Sequence, residues 1–259
     1  MGGAFVAVAN DSSATWWNPA GLADGPFVDL AIARNEVERE SPAPGLRART
    51  SGFSLSTPAL GVSYYRLRLT HIGGNGATAD EVGDREDTTA SQIGLTLLQT
   101  VIPGVHAGTT LKYVNGFDLD AGVLAIAGPL RLGAVVRNLR EREPAAGKPR
   151  FPRQIRLGAA LDFERRGLPL TVAVDAEARR YEATGGPRQV VAAGAEYWLA
   201  TRRIGLRAGG RVNRVGARER SATAGVSIAV RSGMYLDGHI VGGGSPEERG
   251  WGAAARVSF

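Results

Sequence analysis

Asp237 and His239 stand two residues apart on one face of a segment that alternates like a strand, and Ser227 lies on the segment before it. These are the types that a hydrolase uses as orienter, base and nucleophile. The chain has no Gly-x-Ser-x-Gly elbow, and His71 and His106 are isolated. Metal-ligand spacing, a phosphate loop and a dinucleotide fingerprint are all missing from the sequence. With no cysteine there is no thiolate site or disulfide. Charges on a strand face explain the trio more simply, so the expectation is no enzyme, no metal and no cofactor.

The remaining charges follow the same rule. Lys and Arg number 31 against 25 Asp and Glu, a net +6, but the arginines are spread along the 259 residues instead of clustering, which argues against a nucleic-acid partner. In "RRIGLRAGGRVN", Ile204, Leu206, Ala208, Gly210 and Val212 share one face, and Arg203, Gly205, Arg207, Gly209, Arg211 and Asn213 the other. "RQIRLGAALDF" sets Ile155, Leu157, Ala159 and Leu161 opposite Arg156 and Asp162, while "LPLTVAVDAEARR" sets Val172 and Val174 opposite Asp175, Glu177 and Arg179. Turned inward, the charged faces give a lumen lined by Arg131, Arg137, Arg156, Asp162, Asp175, Glu177, Arg179, Glu196, Arg207, Arg211, Asp237, His239 and Arg256. Of these, Arg156, Glu177, Glu196, Arg207, Arg211 and Asp237 are the candidate lumen charges. Their mixed signs favour cross-strand pairs that brace a wall over a selective pore lining.

The elements that must position these residues are strands. About fourteen alternate in sequence, near 27–36, 49–57, 60–72, 88–102, 104–115, 119–127, 129–140, 153–164, 168–181, 188–199, 202–213, 219–230, 232–242 and 249–259. Alternation alone suits a sandwich as well as a barrel. Connection lengths, which mostly alternate, separate the two: those around 39–48, Gly73–Asp87 and 140–152 are long, Gly116–Asp118 is a compact turn, and Pro58-Ala59, Pro103-Gly104, Gly128-Pro129, Ala200-Thr201 and Arg231-Ser232 are tight. Long loops at one end and tight turns at the other are the arrangement of outer-membrane barrels. Glycines such as Gly61, Gly108, Gly122, Gly133, Gly158 and Gly194 fall inside strands, which implies crowding against one face or strong curvature. No apolar run reaches the roughly 18 residues of a spanning helix. The predicted fold is an all-β antiparallel transmembrane barrel of about 14 strands, residues 26–259.

Residues 1–25 differ. In "GGAFVAVANDSSATWWNPAGLA", Asp11 or Ser12 is placed to cap a helical turn, and Asn18 precedes Pro19 at the first position of another. The mix of apolar and small residues favours packing in the lumen. This stretch, above all Asn18-Pro19-Ala20-Gly21-Leu22 after Asp11–Trp17, resembles the amino-terminal hatch of the FadL superfamily of outer-membrane proteins, closest to its PorV/PorQ-like branch. "GTTLKYVNG", "GPLRLGAVVRNL", "FPRQIRLGAAL" and "AAGAEYWL" resemble successive strands of that branch. "RGWGAAARVSF", with Trp251, Ala253, Ala255, Val257 and Phe259 on one face, resembles the final strand read by barrel-assembly machinery.

The resemblance implies a bacterial outer-membrane location, with outer-membrane lipid around the wall. The family's secretion signal is absent from this sequence, and a truncated start is expected. The FadL likeness implies passive transport of hydrophobic small molecules that pass a movable hatch and leave sideways into the bilayer. Trp16, Trp17, Asn18, Pro19, Ala20, Gly21 and Leu22 are then the ligand and gating residues. The PorV likeness implies instead a barrel that binds or shuttles secreted proteins; the modest loops favour transport.

Overall fold

Alternation at this length leaves every second side chain with nothing to pack on unless the sheet closes, and it closes. The computed structural model describes residues 1–39, 45–72, 85–141, 149–183, 186–199, 201–216, 219–244 and 248–259. Among them are β1 (Asp29–Arg39), β2 (Gly45–Ser56), β3 (Leu60–Ile72), β4 (Arg85–Ile102), β5 (Val105–Tyr113), β6 (Phe117–Ala127), β7 (Leu130–Arg137) and β8 (Gln154–Asp162). There follow β9 (Leu170–Glu177), β10 (Tyr181–Ala183), β11 (Gly186–Arg188), β12 (Val190–Leu199), β13 (Ile204–Asn213), β14 (Arg220–Arg231), β15 (Met234–Gly243) and β16 (Glu248–Ser258). Fourteen of these form one closed antiparallel barrel in chain order, with β1 sealed against β16; β10 and β11 make a separate hairpin at the long-loop end.

The two faces separate as alternation requires. Ile204 and Leu206 are exposed at 40% and 47%, whereas Gly205 is buried and Arg207 turns inward to Glu196 and Asp237. Leu157, Val172, Val174, Val226, Ile228 and Leu236 are likewise exposed on the outer wall. In water such a surface would be costly; in a bilayer it is the required apolar band.

The loop parity also holds. The carboxyl terminus and most short turns, among them Pro103-Gly104, Gly128-Pro129 and Ser232-Gly233, lie at one end, and the longer connections lie at the other together with the tight Asn115-Gly116 turn; Met1 is inside the barrel. Within those longer connections, 40–44, 73–84 and 142–148 lie outside the described residues, so the expected Gly73–Asp87 loop is described only for 85–87, which belong to β4.

The sequence reading needs correction at two places. The strand expected at 168–181 stops at Glu177, and the chain turns into the β10–β11 hairpin; Arg179 is exposed outside the lumen. Alternation simply runs on past the wall, so it could not mark that end. The first helical turn, Ala14–Trp17, has Ser13 at its N-cap position in place of Asp11 or Ser12. Asp11 acts one step removed, its Oδ1 accepting from Ser13 N at 3.0 Å.

Candidate functional site

The first 24 residues fill part of the lumen as a turn, the short helix Ala14–Trp17 and a 3₁₀ helix at Pro19–Asp24. The chain begins its second turn at Asn18 because Pro19 has the fixed φ of a first helical position and no N–H to satisfy. Asn18 Oδ1 accepts from Ala20 N at 3.1 Å. Its Nδ2 donates to Val6 O at 2.9 Å and to Val123 O on β6 at 3.1 Å. One fully buried amide therefore caps a helix, ties the hatch to itself and fastens it to the wall.

The in-strand glycines are the seat of this segment. A Cβ at Gly122 would lie 2.0 Å from Asn18 Oδ1, at Gly108 2.4 Å from the Pro19 carbonyl carbon, and at Gly133 2.6 Å from Val6 O. Gly61 meets Thr15, Gly158 meets Val6 and Gly194 meets Met1 in the same way. Crowding on one face, read from the sequence, is here backbone and side chain of the hatch pressed against six strands.

Polar wall residues complete the docking. Asp175 Oδ2 accepts from Phe5 N at 2.8 Å and Val6 N at 2.9 Å. Arg131 Nε donates to Ala7 O at 2.8 Å and its guanidinium pairs with Asp24. Asp29, at the foot of β1, accepts from Ser12 N at 2.8 Å and from Ser258 Oγ of β16 at 2.5 Å. Trp16 lies under the Arg137 guanidinium, 4.0 Å from ring centre to Cζ, and edge-on to Tyr65; Trp17 stacks near Phe5, with Arg156 5.6 Å away. Each cation–π contact contributes about 0.5–2 kcal/mol. Pro19, Ala20, Gly21 and Leu22 are buried against the wall.

The predicted lumen charges fall into three groups. Glu196, Arg207 and Asp237 form one network that runs on through Arg256 to Asp11 of the hatch, with Arg207–Asp237 at 3.3 Å and Arg256–Asp11 at 2.8 Å. Arg211 pairs with Glu248 on the long-loop side. Arg156 and Glu177 are register partners on β8 and β9; Glu177 accepts from Tyr181 Oη at 3.0 Å and Val190 N at 2.6 Å. Ser227 donates directly to Asp237, whose carboxylate also holds Arg207, so the serine faces an ion-paired carboxylate in place of an imidazole. That is bracing, and it supplies no relay for nucleophilic attack.

Between the hatch and the wall lies a cavity of about 610 Å³. It extends from Tyr65 and Thr50 at mid-wall to Pro26, Pro169 and Arg202 at the short-turn rim. Phe5, Trp16, Trp17, Tyr65, Trp198 and Tyr235 give it an aromatic lining, while Ala31, Ala33, Gly52 and Ala254 form its thin side. The arginines that line it are paired: Arg131 with Asp24, Arg202 with Glu164, Arg207 with Glu196, and Arg256 with Asp11. Sequence reasoning picked out the two tryptophans but missed Phe5, Tyr65, Trp198 and Tyr235. The inward parity of Phe5 depends on the hatch's path, whereas Trp198 and Tyr235 share the inward faces of Glu196 and Asp237, on which only the charges were singled out.

An even-stranded antiparallel wall, apolar outside, polar inside and closed round an amino-terminal segment, is a barrel of outer-membrane type. No protein-family model matches the chain, and no curated protein matches its sequence. Among solved structures it is similar to a FadL homologue of Pseudomonas aeruginosa, with a TM-score of 0.66 at 11% identity over 99% of this chain and 96% of that one. It is also similar to the CymD monoaromatic hydrocarbon channel, with a TM-score of 0.50 at 13% identity over 98% of this chain and 94% of that one. The likeness is one of fold, and the fold is FadL-like.

Proposed function

We propose that this protein is a passive outer-membrane conduit for hydrophobic small molecules, with residues 1–25 as the gating hatch. The observation that carries the reading is the 610 Å³ aromatic-lined cavity between hatch and wall. Its size is that of a small-molecule site, about 300–1,000 Å³. Because its arginines already have partners, an uncharged guest disturbs no ion pair, whereas an anion that takes up an arginine must break one. The names of the two fold neighbours, one a hydrocarbon channel, agree with this reading.

Exit sideways into the bilayer belongs to the same proposal. Beside the cavity the wall is built of small residues: Ala31 and Ala33 on β1, Gly252 and Ala254 on β16, and Gly238 next to Ala253. An apolar molecule that leaves there avoids water, worth about 0.8 kcal/mol per CH₂. The β1–β16 ladder is continuous, so exit requires it to part locally.

The test exploits the absence of cysteine. Ala33 and Ala254 are register partners facing the cavity, and A33C/A254C places a single bridge across the seam. In cells or proteoliposomes, uptake of a labelled monoaromatic hydrocarbon is expected to be intact in the reduced variant and lost on oxidation. Uptake that survives oxidation rejects the lateral exit; no uptake above protein-free vesicles by the wild type rejects the conduit.

A further inference from the structure

We propose that the outer face of β16, β1, β2 and β3 toward the long-loop end binds the phosphate groups of outer-leaflet glycolipid. Arg34 on β1 and Arg66 on β3 are both register-paired with Ser51 on β2, so they flank it on the outer surface. One step higher, Glu36, Arg49 and Arg68 form the next row, and above that Glu38 and Arg47, with Arg249 of β16 opposite Glu38. Six arginines face outward here against Glu36, Glu38 and Asp87.

The carboxylates are spoken for. Arg47 and Arg49 hold Glu36 and Glu38 at 2.9–3.5 Å, and Arg68 holds Asp87. Arg34 and Arg66 are exposed and have no carboxylate partner among the described residues. Two free guanidiniums on strands separated by a single strand, set among four more cations, match a phosphate better than any uncharged group.

Their height on the wall says what lies against them. On β3 charge begins six positions above Leu60, a climb of roughly 15 Å at about 3.4 Å per residue and a tilt near 40°. The outer faces of β5, from Val105 to Tyr113, and of β13, from Ile204 to Val212, hold no charge over their whole length. The apolar band is thus lower on this one side, and the arginines sit at its upper margin, where lipid headgroups begin. A bilayer that thins locally brings its phosphates down to them. The partner is therefore a lipid at the membrane surface; a soluble protein would meet the loops first.

The experiment uses the full chain, purified and reconstituted in phosphatidylcholine vesicles that contain either phosphorylated lipid A or its enzymatically dephosphorylated counterpart. Native mass spectrometry or fluorescence quenching of the wall tryptophans reads the bound glycolipid. At least tenfold tighter binding of the phosphorylated form is expected, and R34Q/R66Q should reduce that preference to less than threefold. R231Q, an exposed arginine at the short-turn end, should leave it unchanged and shows that the double variant acts by position. Equal binding of the two lipids by the wild type overturns the proposal, as does an equal loss in R231Q.

Discussion

Asn18 gives the sharpest test of the hatch. Replacing it by alanine deletes three hydrogen bonds at 2.9–3.1 Å from a site with no access to solvent. At a net value of about 1 kcal/mol each, the docked hatch loses about 3 kcal/mol, or roughly a hundredfold in its docking equilibrium. Val123 O keeps its place in the β6 ladder, so the loss falls on the hatch and spares the wall. Hydrogen exchange of the micelle-bound protein is the assay: amides of Phe5, Val6 and Ala20 should exchange on the order of a hundredfold faster, while those of β13 stay unchanged. Uptake of an apolar probe should rise in the same variant, with the barrel still inserted. Gly122→Val approaches from the other side, because its Cβ would lie 2.0 Å from Asn18 Oδ1 and must displace it. If neither substitution speeds exchange, the hatch is held elsewhere and the reasoning fails. If exchange quickens without any change in uptake, the hatch is a structural plug.

Two further outcomes test the wall and the rim. Cysteines at Leu206 or Ala208 should be labelled by a lipid-phase reagent and cysteines at Arg207 or Arg211 should not, and Ala208→Arg should cost about 2–4 kcal/mol of barrel stability in urea unfolding from vesicles; labelling of both sets would refute the assigned faces. At the rim, burial and the neighbouring Glu177 carboxylate push the Tyr181 phenol up from its ordinary 10.0 to about 12. Since the unfolded chain ionises first, stability is flat below pH 10 and falls between pH 10 and about 12, a step that Tyr181→Phe should remove from the alkaline unfolding curve.

Period-two alternation made the wall legible because a residue that faces lipid and one that faces the lumen differ in type, as Leu206 and Arg207 do. The glycines were legible for a related reason: Gly108 or Gly122 inside a strand implies a close neighbour or strong curvature. The identity of that neighbour was not, since Asn18 reaches Val123 across more than a hundred residues and no local pattern encodes the contact. The same holds for Arg137 over Trp16, which needs the whole barrel's register. The end of β9 escaped because Ala178 and Arg179 continue the alternation into a hairpin that no longer faces either phase. Nor did projecting charged faces inward anticipate Arg34 and Arg66, which break the rule on one side of the wall only.

Asp29 links three distant pieces of chain: Ser12 of the hatch, its own first strand, and Ser258 of the last. A hatch seated this closely on glycine enters most readily while the wall is still open. Folding therefore has an order. The wall is wound around a segment already in place, and the zipper between β1 and β16 is the final stroke, with one carboxylate checking that both partners have arrived. Because these contacts join residues more than two hundred positions apart, that stroke is also the slow one, paid for in loop closure. Damage at Asp29 would then show first as a delay in sealing, with chains caught as open, unsealed sheets.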